Sequence, residues 1–195
     1  FVVTKLARFN TKTNKLYFDD FDLFIKPDSL VTVEENPGTL DDRVKANFPR
    51  SADKDAGDVS HLVYALLDEI VSDYLTTLDH LGESINIVEA GVWNNPSPQM
   101  LQKIFTVRRS LIEFRRNAGG MREVVGALIR DPRVKTTGDL ENYYRDLYEH
   151  VIRVIEFIET HRDVLNGTLD IYLSALAQRT NEISKVLAVV GTLAL

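Results

Sequence analysis

The sequence predicts an α+β fold: a small β-sheet with helices, followed by a long antiparallel helical hairpin and one very long stalk helix. Three observations carry that expectation. The first 35 residues hold three runs rich in β-branched and aromatic side chains, separated by turn-forming segments. From about Ser60 to Asp131, apolar residues recur at three- and four-residue steps on either side of one break, Trp93-Asn94-Asn95-Pro96-Ser97-Pro98. From Leu140, steps of four and three reach Tyr144, Leu147, Val151, Val154, Ile158, His161, Leu165, Thr168 and Tyr172, and no proline follows Pro132. The chain therefore divides into a sheet unit over 1–58, a hairpin over 59–135 and the long helix over 136–195.

The strands are FVVTKLARF, KLYFDDFDLFI and SLVTVEE, with NTKTN and KPDS supplying turn chemistry between them. Three strands make a thin sheet that needs further strands or helices to cover it. Phe1 opens in the middle of a strand pattern, and the start lacks the charged and apolar regions of a signal peptide, so the chain is expected to continue upstream. After Pro37-Gly38, Thr39-Leu40-Asp41-Asp42 resembles a capping box and starts a short helix through about Ala46, with a loop from Asn47 to Asp58. The second helix runs from about Ser60 to Val92 and points Leu67, Ile70, Tyr74, Leu78, Leu81, Ile85, Val88 and Val92 to one side. The third begins near Pro98, and Gly119-Gly120 is expected to loosen or kink it. The last, from Asp139 to Leu195, is on the order of 85 Å long, more than one small core requires, so it connects two places.

Composition narrows the function. A chain of 195 residues, 44% hydrophobic and 27% charged, is one domain or a domain with an extension. With no cysteine there is no disulfide framework, thiolate metal site or cysteine nucleophile. A net charge of −6 argues against nucleic acid as a partner. The charge is distributed in blocks: residues 1–54 are neutral, 55–102 carry −8, 103–135 carry +6 and 136–195 carry −4. An acidic helix followed by a basic one suggests that the two lie antiparallel and neutralise each other.

No Gly-rich phosphate loop, Gly-x-Ser-x-Gly elbow, His-Glu-x-x-His or EF-hand loop occurs, which argues against an enzyme. The acids of the second helix read in two ways, as a solvated face or as carboxylates that bind a cation. His150 lies four residues after Asp146, a spacing that suits a surface hydrogen bond more than a metal. Glu149, Glu156, Asp163 and Asp170 recur every seven residues and share one face of the long helix. Four like charges in line gain nothing on an isolated helix; a solvated face is one reading. Around an axis of several copies they become stacked carboxylate rings that concentrate cations. The last ten residues, from Val186, are uncharged and apolar and follow Arg179 and Lys185, as the cytoplasmic flank of a membrane span does. Ten residues fall short of the ~20 a span needs, so the chain is expected to be cut at the membrane.

Three segments together resemble the CorA family of divalent cation channels across essentially the whole chain: FVVTKLARFNTKTNKL, LVYALLDEIVSDYL and YYRDLYEHVIRVIEFIETHRDVLNGTLDIYLSALAQRTNEISKVLAVVGTL. The resemblance implies the cytoplasmic funnel domain of a homopentameric magnesium channel, on the cytoplasmic side of the inner membrane and joined to it through spans beyond Leu195. The family's Gly-Met-Asn signature would also follow Leu195. At matching positions, Asp68 in LLDE and Asp146 in YYRD correspond to carboxylates of a regulatory magnesium site between subunits, whose remaining acidic partners precede Phe1. Asp170 and Asn181 match polar positions of the inner pore, and Leu187 matches part of its hydrophobic constriction. Ser184 departs from the family, which usually has methionine there. The implied cation is Mg2+, with Co2+, Ni2+ or Zn2+ as alternatives, and the implied partners are further copies of the chain. A related zinc transporter, or a coiled-coil tether without ion function, are the rival readings.

Overall fold

A computed structural model describes residues 1–10, 15–36, 40–47, 59–132 and 139–193. The three expected strands are β1 (Val2–Asn10), β2 (Lys15–Ile25) and β3 (Leu30–Glu34), an antiparallel sheet in the order β1-β2-β3. Val2 pairs with Leu23 and Asn10 with Lys15, while Phe21 pairs with Glu34 and Ile25 with Leu30. Burial of Leu6, Phe21 and Leu23 sets the register, and opposite charges follow it. Lys5 meets Asp20 directly opposite, and Arg8 Nε lies 2.7 Å from Asp19. Leu6, Phe21 and Leu23 are buried; Val3, Phe24, Val31 and Val33 are exposed. The turn NTKTN and the capping box at Thr39 lie outside the described residues, as does most of the loop that follows.

Helix α1 (Leu40–Asn47) is short and is tied to α2 (Val59–Asn94) by its charge. Arg43 donates from both terminal nitrogens to the Asp73 carboxylate, at 2.8 and 2.6 Å, and reaches Glu69 at 3.1 Å. A planar guanidinium against a carboxylate is the geometry that makes such a pair directional. Every apolar residue expected on the inner side of α2 is buried. Tyr74 joins this helix to the sheet: its hydroxyl donates to the Lys5 carbonyl on the outer edge of β1, 2.7 Å away. Phe114 of α3 (Pro98–Arg130) completes the joint, with its ring edge-on to Tyr74 at 5.2 Å and to Phe18 at 5.5 Å.

The α2–α3 turn is three residues long, and Pro98 occupies the first turn of α3, where its missing N–H costs nothing. Gly91 permits the tight approach. A Cβ there would stand 2.6 Å from the Met100 sulfur. Helix α3 runs without interruption through Gly119-Gly120, and Ala118 and Met121 on either side are buried.

The long helix α4 (Asp139–Leu193) packs against both members of the hairpin. Its expected seam is buried from Leu140 to Tyr172, except that His161 is only partly covered. Tyr144 donates to the Ser60 carbonyl at 2.9 Å, and His161 Nε2 lies 3.2 Å from the Leu78 carbonyl, so α4 runs parallel to α2. Past Tyr172 the helix is exposed, apart from partly covered Ala175, for a projection of roughly 30 Å. No described helix is long and apolar enough to cross a membrane.

One expectation fails. Among the described residues no ion pair joins the acids of α2 to the bases of α3. Asp73 and Glu69 turn to Arg43 of α1, and Arg115 pairs with Glu159 of α4, which also holds Arg162 at 2.5 Å. The hairpin meets through its apolar stripes, and that leaves the charged faces pointing away from each other.

Candidate metal centre between α2 and α4

The two carboxylates singled out by the sequence lie on neighbouring helices around one phenol. Tyr64 is one turn before Asp68 on α2, and its ring stacks on Tyr143 of α4 with centroids 5.5 Å apart and planes at 29°. Tyr144, itself fully buried and held by Ser60, presents its edge to the same ring at 5.7 Å. These contacts fix the phenol in place. Its pKa is pushed up to about 12, first by burial and then by the negative charge of Asp68 and of Asp146. Tyr64 therefore senses both carboxylates at once, one from each helix.

The two acids differ in setting. Asp68 is half-buried, and burial raises its pKa while the nearby His150 pulls it back. Asp146 is exposed. His150 thus faces Asp68 across the helix pair rather than simply accompanying Asp146 on its own helix. Tyr64 was not singled out from the sequence, although its place four residues before Asp68 on an amphipathic helix was the available signal. Among the described residues no cluster of three or more His, Asp or Glu side chains is arranged to hold a metal by itself. Two carboxylates from one chain suit a cation that keeps most of its waters, as Mg2+ does.

The remaining candidates lie elsewhere on α4. Glu149, Glu156, Asp163 and Asp170 are all exposed and form a row on the side away from the buried seam. Asp163 is 3.5 Å from Arg162; the other three carry no ion pair among the described residues. Asn181 and Leu187 sit on the projecting part of the helix, where Leu187 is 65% exposed and so available to a neighbour.

A family model described as CorA-like Mg2+ transporter protein matches residues 1–195. The cobalt/magnesium transport protein CorA of Thermotoga maritima is 29% identical over 197 residues, covering 99% of this chain and 55% of its own length. The chain thus spans about half of that curated relative. The complete structure of the CorA magnesium transporter from Methanocaldococcus jannaschii superposes with a TM-score of 0.81 at 24% identity, over 97% of this chain and 60% of that one. The soluble domain of the same protein gives 0.74 at 24% identity, over 88% and 68%. At those identities the superpositions establish the fold, an α+β unit with a small sheet and long helices.

Proposed function

The chain belongs to the CorA-like Mg2+ transporter family, a family of transport proteins rather than enzymes, and from that premise we propose that it is the cytoplasmic regulatory part of a magnesium channel. In this reading several copies, five by family resemblance, surround an axis with α4 as the staves of a funnel. The projecting end of α4 leads into the membrane, with Asn181 and Leu187 at the start of the pore. Glu149, Glu156, Asp163 and Asp170 then form rings of carboxylates that draw hydrated cations toward it.

Asp68 and Asp146 act as the sensor. The observation that carries this is the Tyr64–Tyr143 stack, which sets the turn of α2 bearing Asp68 beside the turn of α4 bearing Asp146, with Asp146 exposed toward whatever lies beside the protomer. Like charges brought together from neighbouring copies repel. A bound Mg2+ cancels the repulsion and holds the copies in a closed, symmetric arrangement, and its loss lets them spread. The device closes the channel when internal magnesium is high.

Limited proteolysis tests the reading. Millimolar MgCl2 should slow cleavage of α4 relative to NaCl of equal ionic strength, and Asp146→Ala should abolish the difference. Equal protection of the variant and the parent overturns the site. Parallel titrations with Co2+, Ni2+ and Zn2+ read its selectivity.

A further inference from the structure

The hairpin leaves its two charged faces apart. Helix α2 carries six acids and no Lys or Arg; α3 carries seven bases and two acids. On α2, Asp79 and Glu89 have no ion pair among the described residues, and Glu83 has only His80, 3.8 Å away. On α3, Lys103, Arg109 and Arg116 have none among them either.

Helix α4 separates the two faces. At 100° per residue, Tyr143 and His161 fall on one flank of α4, against Tyr64 and Leu78 of α2. Tyr148 and Glu159 fall on the other, against Gly126 and Arg115 of α3. One protomer therefore carries exposed Asp79 and Glu83 beyond one flank of α4, and exposed Arg109 and Arg116, with Glu113 between them, beyond the other. We infer that these sides join neighbouring copies, the acidic face of α2 in one packing on the basic face of α3 in the next.

The heights agree. His161 touches α2 between Leu78 and Gly82, and Glu159, two residues before it, touches Arg115. The middle of α2 near His80 thus lies level with Glu113. Because α2 and α3 run in opposite directions, Asp79 comes level with Arg116 and Glu83 with Arg109, each within about two residues or ~3 Å of rise. A rotation about an axis parallel to α4 would keep heights unchanged, so both pairs would form together. A contact between two different faces repeats from copy to copy, and it closes into a ring when its rotation divides the full turn. This rests on the ring assembly proposed above and names its lateral contact.

The absence of cysteine makes a clean test possible. Chains carrying Glu83→Cys are mixed with chains carrying Arg109→Cys and treated with a short thiol cross-linker, while mass is followed by sedimentation at low salt. The expected result is a cross-linked pair at least about tenfold more abundant in the mixture than in either variant alone. Glu83→Arg and Arg109→Glu should each weaken assembly about tenfold, and the two together should restore it. Assembly that proceeds without the cross-link and is indifferent to charge reversal overturns this contact and leaves the ring standing. A monomer under all conditions overturns the ring, and this contact with it.

Discussion

The imidazole of His161 lies against Gly82, so close that a Cβ on the glycine would stand 3.2 Å from Cε1 and 3.3 Å from Nε2. The same ring reaches the Leu78 carbonyl. This is where the long helix is locked in height against α2.

Gly82→Ala should therefore behave unlike other glycine replacements in helices. Alanine gains roughly 0.5–1 kcal/mol of helix stability over glycine. At Gly119 and Gly120 a new Cβ meets nothing within 4 Å, so each alanine should raise stability by about that amount. At Gly82 the displaced imidazole loses a hydrogen bond worth about 0.5–1.5 kcal/mol, which cancels or exceeds the gain. Urea unfolding of the three variants checks the order; a Gly82→Ala as stabilised as Gly120→Ala contradicts it.

Tyr74→Phe keeps the ring and removes one hydrogen bond. It leaves the Lys5 carbonyl on the edge of β1 without that donor, at a cost of about 1–2 kcal/mol. Hydrogen exchange should quicken in β1 more than in α4. Uniform exchange across both would contradict the role of Tyr74 as the sheet-to-helix tie.

Phe114→Ala should be far more severe. The ring is fully buried between Tyr74 and Phe18, and truncating such a residue costs about 3–5 kcal/mol. Phe105, half exposed on the same helix, should tolerate alanine within about 0.5 kcal/mol. Similar melting temperatures for the two variants would show that α3 does not pack as described.

Asp68 gives a pH dependence whose sign follows from burial. Its pKa in the folded chain is raised above the ordinary 3.8, so the folded state holds the proton more tightly than the unfolded one. Ionisation therefore opposes folding. The penalty is absent below 3.8 and complete once the pH exceeds the raised value. Asp68→Asn should melt about 1–2 °C above the parent at pH 7, and the difference should shrink toward pH 4. A variant that melts below the parent at neutral pH contradicts the direction.

The elements and their inner faces were legible in the order of residues alone. Periodicity of 2 in the first segment and of 3 and 4 beyond residue 59 named the strands, the hairpin and the buried seam of α4, because burial of apolar surface follows from which side chains share a face. The sequence also marked Asp68 and Asp146, through resemblance to a family. What it could not supply was the direction of the charged faces in space. Opposite block charges on consecutive helices suggested internal neutralisation, whereas the structure turns them to opposite flanks of α4. Apolar contacts fix how the helices rotate, and exposed ion pairs are worth too little to turn them back. The same packing brought Tyr64 within the charge of Asp146 and His150 within that of Asp68, relations between residues about 80 positions apart that no local spacing encodes.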